Sequence, residues 1–295
     1  MGTADAVATQ YHSWLDRLLM ELTQTASPDG VVYFTSPTLT AAGFVHGFST
    51  RLGGISPPPF ESLNLGNAAG GPRDETENIT ENQKRFLSAI GADDFRLVTV
   101  RQVHGADVAV AGAGDAGHGE RNANDSAPCA DALVVRDPGL LAGMRTADCV
   151  PILIGSRDGR IAAAVHAGWR GLVSGVIGAC IRCMEAAGFP AGQLVAAIGP
   201  CIGERIYEVG PEVAQAFEQA GLRAAVKKYS KPHINLNLAS RIELVHAGIT
   251  QIDTSELCTS ERAGLFYSHR RDHGATGRLL AAIGLPRGWN RLPHR

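Results

Sequence analysis

Three apolar runs separated by short polar breaks restrict this chain to a fold built around buried β-strands. The runs cover residues 140–146, 151–155 and 161–165. The last two flank Arg157-Asp158-Gly159, a sequence typical of a tight turn between paired strands. Continuous apolar runs of this length are consistent with strands in the interior of a protein. The sequence therefore predicts buried strands here, two of them joined as a hairpin.

Strand-like and helical segments alternate from residue 31 onward, which indicates an α/β or α+β class. A helix is predicted over about residues 172–187, and another strand over residues 194–198. Pro211 and Glu212 suit the first turn of a further helix, where proline lacks only an N–H that would be unpaired and an acid faces the positive end of the dipole.

The N-terminal segment carries a helical pattern of its own. Its apolar residues recur at intervals of three and four: Tyr11, Trp14, Leu15, Leu18, Leu19 and Leu22. The turn sequence Ser27-Pro28-Asp29-Gly30 ends this pattern. We therefore predict a helical extension over residues 1–30 and one catalytic domain over residues 31–295, in which residues 112–127 form an exposed loop rich in Gly, Asn and Asp.

Composition excludes several classes of protein. The 295 residues are 44% hydrophobic and 19% charged, which is typical of a globular domain with a full core. A net charge of −2 gives no basis for binding nucleic acid or an anionic membrane. The first residues lack the features of a secretory signal. We expect a cytoplasmic protein, monomeric or homodimeric, whose six cysteines are thiols or metal ligands.

Three side chains that bind metals stand where predicted strands end. His104, Cys149 and His166 each lie where an apolar run gives way to a loop marked by glycine or an acid. Ligand sites collect at strand ends, and two imidazoles with one thiolate suit Zn²⁺ with a fourth position left for water. The intervals of 45 and 17 residues match no local metal motif, so hydrogen-bonded structural histidines remain an alternative.

Eight short motifs occur in order between about residues 42 and 285. They are Phe48-Ser49-Thr50-Arg51-Leu52-Gly53-Gly54, Ser62-Leu63-Asn64-Leu65-Gly66, Gln102-Val103-His104-Gly105, Thr146-Ala147-Asp148-Cys149-Val150-Pro151, His166-Ala167-Gly168-Trp169-Arg170-Gly171, Ile198-Gly199-Pro200-Cys201-Ile202-Gly203, Arg270-Arg271-Asp272 and Thr276-Gly277-Arg278. Together they resemble the bacterial laccase-domain family, whose members are often labelled multicopper polyphenol oxidoreductases. His269 stands where that pattern has an aromatic residue.

The resemblance implies a fold and an activity. The fold would be a single domain of mixed β-sheets packed together and flanked by helices, similar to the cysteine-hydrolase type. The activity would be phosphate-dependent cleavage of adenosine, inosine, guanosine and methylthioadenosine, with deamination of adenosine. One Zn²⁺ would be held by His104, Cys149 and His166. Copper is not expected, because multicopper centres use His-x-His pairs and the ten histidines contain none.

Phosphorolysis also requires a place for a phosphate dianion. Residues 168–171, which open a predicted helix, offer backbone N–H groups, and Arg51, Arg145 and Arg170 are candidate phosphate ligands. Arg51 adjoins two glycines that would suit a loop closing over substrate. Trp169 could stack on a purine or pack in the core. Asp148 could be a general base or, as we prefer, a residue that orients a metal-ligating histidine.

Two further hypotheses use the same residues. Cys149 could be a nucleophile with His166 as its base, giving an amide or peptide hydrolase. Some relatives in the family are described as editing a peptidoglycan precursor in this way. Alternatively, the metal could stabilise a binding protein without activity, which predicts a closed site. Zinc content separates the first of these from the phosphorylase, because a coordinated thiolate is not free to react.

Overall fold

Short strands make up most of the regular structure. The computed structural model describes residues 19–68, 70–112 and 127–285. Fifteen strands occur in these ranges: β1 (Leu19–Glu21), β2 (Thr23–Ala26), β3 (Val32–Thr35), β4 (Val45–Ser49), β5 (Arg96–Thr99), β6 (Val108–Ala111), β7 (Ala132–Val135), β8 (Leu140–Thr146), β9 (Val150–Ser156), β10 (Ala162–Ala167), β11 (Leu194–Ile198), β12 (Val226–Lys228), β13 (Pro232–Ile234), β14 (Ile252–Thr254) and β15 (Leu279–Gly284).

The same ranges contain six α-helices of 5 to 14 residues. They are α1 (Pro37–Ala41), α2 (Thr76–Ala89), α3 (Trp169–Val173), α4 (Val176–Ala186), α5 (Pro211–Gln219) and α6 (Leu236–His246). Helix α5 begins at the predicted proline, with Glu212 in its first turn. Within the described ranges, none of the helices combines the length and the apolar character that crossing a bilayer requires.

The strands form two large sheets. One sheet has the strand order β1-β14-β11-β9-β10-β7-β6, and the other has the order β2-β3-β4-β15-β8-β5. Strands β9 and β10 are antiparallel neighbours near the middle of the seven-stranded sheet, with Ile152 opposite Val165. This pairing confirms the predicted hairpin. Strands β12 and β13 pair separately as a two-stranded ribbon.

The two sheets pack face to face, with helices on their outer sides. Leu153 and Ala164 of the seven-stranded sheet share one apolar cluster with Met144 of the six-stranded sheet. The opposite face of the seven-stranded sheet packs against α4, α5 and α6, while α2 covers the six-stranded sheet through the buried Phe86. Burying both faces of each sheet explains why these strands are continuous apolar runs. The predicted mixed α/β fold is confirmed.

Close packing between the sheets makes Gly155 a sensitive position. A methyl group at this residue of β9 would lie 2.2 Å from a carbon of the Phe44 ring, which precedes β4 in the other sheet. We expect Gly155→Ala to lower the free energy of unfolding by about 1–3 kcal/mol, because the ring or the backbone must shift. Denaturant unfolding measures this loss. In Gly192→Ala, where the methyl group meets nothing within 4 Å, stability should be nearly unchanged.

The predicted N-terminal helix is wrong where the structure describes it. Residues 11–18 lie outside the described ranges, but Leu19 begins β1, which pairs in parallel with β14. Strand β2 then pairs with β3 of the six-stranded sheet. The fold therefore extends across the boundary that was predicted at residue 30. Unpaired edges of two sheets offer backbone hydrogen bonds that outweigh a local helical pattern. Residues 113–126 of the predicted loop also lie outside the described ranges.

The helix predicted over residues 172–187 is two helices. Helix α3 begins earlier, at Trp169, and ends after five residues. Gly175 then adopts a left-handed conformation with φ 75°, and α4 begins at Val176. A left-handed residue cannot continue a right-handed helix, and glycine adopts it without a steric penalty. The first helix is therefore only a short turn beside strand β10.

Candidate metal centre

The structure brings His104, Cys149 and His166 together at one end of the central hairpin. Cys149 directly precedes β9, and His166 lies near the end of β10, opposite Pro151. His104 comes from the loop that follows β5. The potential ligand atoms of the three residues all lie within 4.8 Å of one another. The fold therefore brings residues that are far apart in sequence close enough together to ligate one metal ion.

The cluster is open to solvent on one side. His104 is exposed, Cys149 is half-buried and His166 is buried. His104 has a φ of 60° and Asp148, next to Cys149, has a φ of 92°. Left-handed backbone is costly for non-glycine residues and collects at functional sites. An open side leaves room for a further ligand, as in catalytic metal sites, whereas purely structural zinc sites are closed by four protein ligands.

Asp131 holds the two histidines in place. Its Oδ1 lies 2.8 Å from Nδ1 of His166, which leaves Nε2 of that ring for the cluster. The same carboxylate accepts hydrogen bonds from the backbone N–H groups of Val103, His104 and Gly105, at 3.1, 3.0 and 2.6 Å. Asp131 therefore fixes both the orientation of His166 and the loop that carries His104. Carboxylates that bond to a ligating imidazole in this way strengthen metal binding.

The charges of the cluster favour a thiolate at Cys149. Burial alone would raise the pKa of the thiol, but the charge of His166 and hydrogen bonds from both imidazoles outweigh burial and lower the pKa to about 6. Burial would likewise lower the pKa of His166, but Cys149 and Asp131 raise it to about 9. Both shifts favour a thiolate at Cys149 and an imidazolium at His166. A thiolate is also the form that ligates metal ions.

Asp148 does not orient a histidine in this structure. Its Oδ1 accepts a 2.6 Å hydrogen bond from the hydroxyl of Thr259, and its Oδ2 accepts one of 2.7 Å from the backbone N–H of Arg270. The role that we preferred for Asp148 belongs to Asp131 instead. The physical reason is position: Asp131 directly precedes β7, the neighbour of β10, whereas Asp148 faces the loops at residues 259 and 270.

Two of the three arginines predicted for phosphate are already bonded to backbone. Arg51 donates from Nε to the carbonyl of Glu61 at 2.6 Å and from Nη1 to that of Ala263 at 3.2 Å. Arg145 lies in β8 and donates from Nε to the carbonyl of Leu65 at 2.9 Å. Burial lowers the pKa of Arg145. Both guanidinium groups brace loops of the fold.

The glycine loop beside Arg51 is tightly packed. A methyl group on Gly53 would lie 2.5 Å from Cα of Val31, and one on Gly54 would lie 2.2 Å from the carbonyl oxygen of Ser62. These glycines allow backbone segments to approach each other. The expectation that they form a mobile loop is therefore not supported by the packing.

Arg170 and Trp169 form a unit at the start of α3. The exposed guanidinium of Arg170 lies over the indole ring, 4.5 Å from its centroid, and Trp169 is half-buried against the core of the seven-stranded sheet. Stacking on an aromatic face keeps an arginine cationic and leaves its N–H groups available. Arg170 is therefore a sequence-predicted arginine whose exposed guanidinium can meet an anion.

Sequence reasoning missed several groups near Cys149. Tyr207 has its pKa raised to about 12, first by burial and then by the charge of Cys149, and Arg270 lies over its ring at 5.1 Å. Arg278 is also influenced by the charges of Cys149 and Asp148. The two arginines belong to quoted motifs that received no role. Asp131 precedes a buried strand rather than following one, so the strand-end rule that selected the histidines does not select it.

Gly168 leaves space that the cluster needs. A methyl group there would lie 3.0 Å from Sγ of Cys149 and 3.1 Å from Cδ2 of His104. We expect Gly168→Ala to weaken the affinity for added Zn²⁺ by about tenfold or more, because two ligands must move. Competition with a chromogenic chelator measures this. Gly264→Ala, with nothing within 4 Å of the added carbon, is the matched control; equal affinities in both variants would contradict the packing argument.

Comparison with known proteins identifies the family of the chain. A family model described as multi-copper polyphenol oxidoreductase laccase matches residues 45–286, which is more than half of the chain. The chain belongs to this laccase-domain family. The suspected resemblance is thereby confirmed, and the match includes all three residues of the cluster.

Relatives in the laccase-domain family carry a different name from the family model. A purine nucleoside phosphorylase of Streptomyces coelicolor is 39% identical over 248 residues, which cover 83% of this chain and 97% of that protein. One of Deinococcus radiodurans is 38% identical over 245 residues, covering 82% of this chain and 89% of that protein. The crystal structure of YlmD from Geobacillus stearothermophilus superposes with a TM-score of 0.81 at 32% identity, covering 89% of this chain and 98% of that one.

Proposed function

We propose that the protein is a zinc-dependent purine nucleoside phosphorylase, acting on adenosine, inosine, guanosine and methylthioadenosine, that also deaminates adenosine. The observation that carries the proposal is the open cluster of His104, Cys149 and His166, whose ligand atoms lie within 4.8 Å of one another. The names of the relatives from Streptomyces coelicolor and Deinococcus radiodurans support the phosphorylase class.

The donor atoms of the cluster fit zinc. Two imidazole nitrogens and one sulfur are ligands that Zn²⁺ prefers, and three protein ligands with an open side match a catalytic site. The low pKa of Cys149 and the bond from His166 to Asp131 prepare the ligands for a divalent ion. When bound, zinc would act as a Lewis acid that polarises a substrate oxygen or activates water.

The proposed reactions balance with substrates and water alone. In phosphorolysis, a phosphate oxygen forms a bond to C1′ of the ribose while the C1′–N9 bond breaks. The electron pair of that bond passes to the purine, which takes up a proton, so the products are the free base and ribose 1-phosphate. In deamination, water adds at C6 of adenosine and ammonia leaves. Asp148 would contribute by fixing the loop that carries Cys149, through Thr259 and Arg270.

Product analysis tests the proposal. Protein of known zinc content is incubated with adenosine or inosine, each with and without phosphate, and the products are separated by chromatography. We expect base and ribose 1-phosphate only when phosphate is present, and inosine from adenosine in either case. Removal of zinc by a chelator should abolish both reactions, and re-addition should restore them. Turnover that persists in zinc-free protein would contradict the proposal.

One observation favours a second candidate function, a cysteine hydrolase or amidase. Asp131, His166 and Cys149 form a chain of contacts in which a carboxylate holds an imidazole beside a thiolate. This order of groups is that of a cysteine nucleophile with its base and orienting acid. Such an enzyme, acting on a peptidoglycan precursor, would contain no zinc, and iodoacetamide would alkylate Cys149 rapidly. A zinc-loaded, unreactive Cys149 would exclude it.

We also make proposals about the localisation, oligomeric state and binding partners of the protein. We propose a cytoplasmic, monomeric or homodimeric enzyme that binds small molecules and not nucleic acid or membrane. Cell fractionation, size-exclusion chromatography and binding assays with labelled oligonucleotides test these points.

A further inference from the structure

One cavity in the described part of the chain has a basic lining. Its volume is about 340 Å³, at the small end of the range for ligand pockets. Its lining residues, all in the described part of the chain, include no aspartate or glutamate; they are Ala68, Gly70, Gly71, Pro72, His269, His273, Gly274, Ala275 and Arg278. The polar side chains of this lining are thus two imidazoles and one guanidinium, which are donors to anions.

The guanidinium of Arg278 retains unused donors. Its Nη1 donates to the carbonyl oxygens of Thr276 and Gly277, at 3.3 and 3.0 Å. Within the described residues, its Nε and Nη2 donate to no protein acceptor. Arg278 is half-buried, so its charge is partly removed from water. A partly desolvated cation of this kind favours binding of an oxyanion, whose oxygens can accept hydrogen bonds from Nε and Nη2.

Arg278 also adjoins the catalytic cluster. It directly precedes β15, whose first residue Leu279 pairs with Thr146 at the end of β8. Cys149 follows Thr146 by three residues. Burial lowers the pKa of Arg278, and the negative charges of Cys149 and Asp148 oppose that shift. An anion held by Arg278 would therefore lie next to the cluster.

A tight turn carries His269 and His273, the two imidazoles that line the cavity. His273 has a φ of 50° and Gly274 a φ of 87°. The N–H of Gly274 donates to the carbonyl of His269 at 3.0 Å, and the His269 ring lies against Gly274. The neighbouring carboxylate of Asp272 is bound by Nε and Nη2 of Arg271, both at 2.8 Å, so it is already paired with a cation.

We propose that the cavity of His269, His273 and Arg278 is the site that binds inorganic phosphate and positions it for attack on the ribose. Arg278, which lines the cavity, is the principal phosphate ligand. The inference deepens the proposed phosphorylase function and rests on it for the role in turnover. Binding of phosphate itself is a separate property that needs no turnover.

Equilibrium binding of inorganic phosphate, measured by titration calorimetry, tests the site on the full-length protein. We expect Arg278→Gln to raise the phosphate Kd by about tenfold or more, because a charge-assisted hydrogen-bond donor is lost. His273→Asn should raise the Kd as well; asparagine tolerates the left-handed backbone, so this variant should fold normally. Arg223→Gln, in a largely exposed side chain on the surface, should leave the Kd unchanged.

Kinetics separates the failure of this inference from that of the proposed function. The KM for phosphate should rise in the two site variants while the KM for inosine is unchanged. Variants that bind phosphate as tightly as the parent protein would overturn the inference even if phosphorolysis is observed. If phosphorolysis is absent but phosphate binding weakens as expected, the site stands and the proposed function fails. Binding of adenosine 5′-monophosphate without binding of inorganic phosphate would also overturn the inference.

Discussion

Replacing Cys149 with alanine is expected to abolish both metal binding and phosphorolysis while leaving the fold intact. The thiolate supplies one of three ligand atoms, and its loss leaves two imidazoles that hold a divalent ion poorly. Because even residues behind a metal ligand cost 10- to 100-fold when mutated, kcat/KM for inosine should fall by at least about 100-fold. His166→Ala should have the same effect. Zinc content and initial rates measure the result.

Cys183→Ala is the matched control for this experiment. Cys183 is a half-buried thiol of α4 that does not belong to the cluster. It should retain zinc and activity, and circular dichroism should show that all three variants are folded. A Cys149→Ala protein with full turnover would reject the metal centre as the catalytic site. Loss of hydrolase activity in Cys149→Ala, from a parent protein that contains no zinc, would instead favour the cysteine-nucleophile hypothesis.

Asp131→Asn is expected to weaken both the fold and the metal site. The carboxylate is fully buried, and it accepts from three backbone N–H groups as well as bonding to His166. An amide keeps the volume but turns an N–H₂ group toward donors and leaves His166 without its anion. We expect the free energy of unfolding to fall by roughly 3–5 kcal/mol and zinc affinity by about 10- to 100-fold. Thermal unfolding and chelator competition measure the two losses.

The exposed Asp94 provides the control for this substitution. Asp94→Asn changes the same charge at the surface, where such replacements usually alter stability by less than about 0.5 kcal/mol. If Asp131→Asn retains parental zinc affinity, then Asp131 does not position His166. If zinc affinity falls while the free energy of unfolding is unchanged, the hydrogen bonds from the backbone to Asp131 do not stabilise the fold as expected.

Local sequence patterns predicted the centre of the fold and the three residues that the structure brings together in the cluster. The apolar runs of β8, β9 and β10 are long enough to be recognised as buried strands, and glycine and proline mark their ends. His104, Cys149 and His166 were singled out because each one interrupts or ends an apolar run. The pairing of these strands then brings the three residues together, which spacing alone could not establish.

Other features depend on contacts between distant residues and therefore escaped prediction. The strand at Leu19 exists because β14 offers a free edge more than 200 residues later. Asp131 orients His166 through a pairing of β7 with β10 that no local pattern encodes. Arg51 and Arg145 looked like phosphate ligands because charge is visible in a sequence, while the carbonyl groups that bind them are not.

The two N-terminal strands have a practical consequence for how this protein can be produced. Strand β1 closes one edge of the seven-stranded sheet and β2 closes one edge of the six-stranded sheet, and only Leu22 separates them. The family match begins at residue 45, after both strands. A fragment trimmed to that match would expose the backbone of β14 and of β4 as open edges, which invite pairing between molecules. Domain boundaries drawn from the family alone would thus yield an aggregating protein, and expression should begin no later than residue 19.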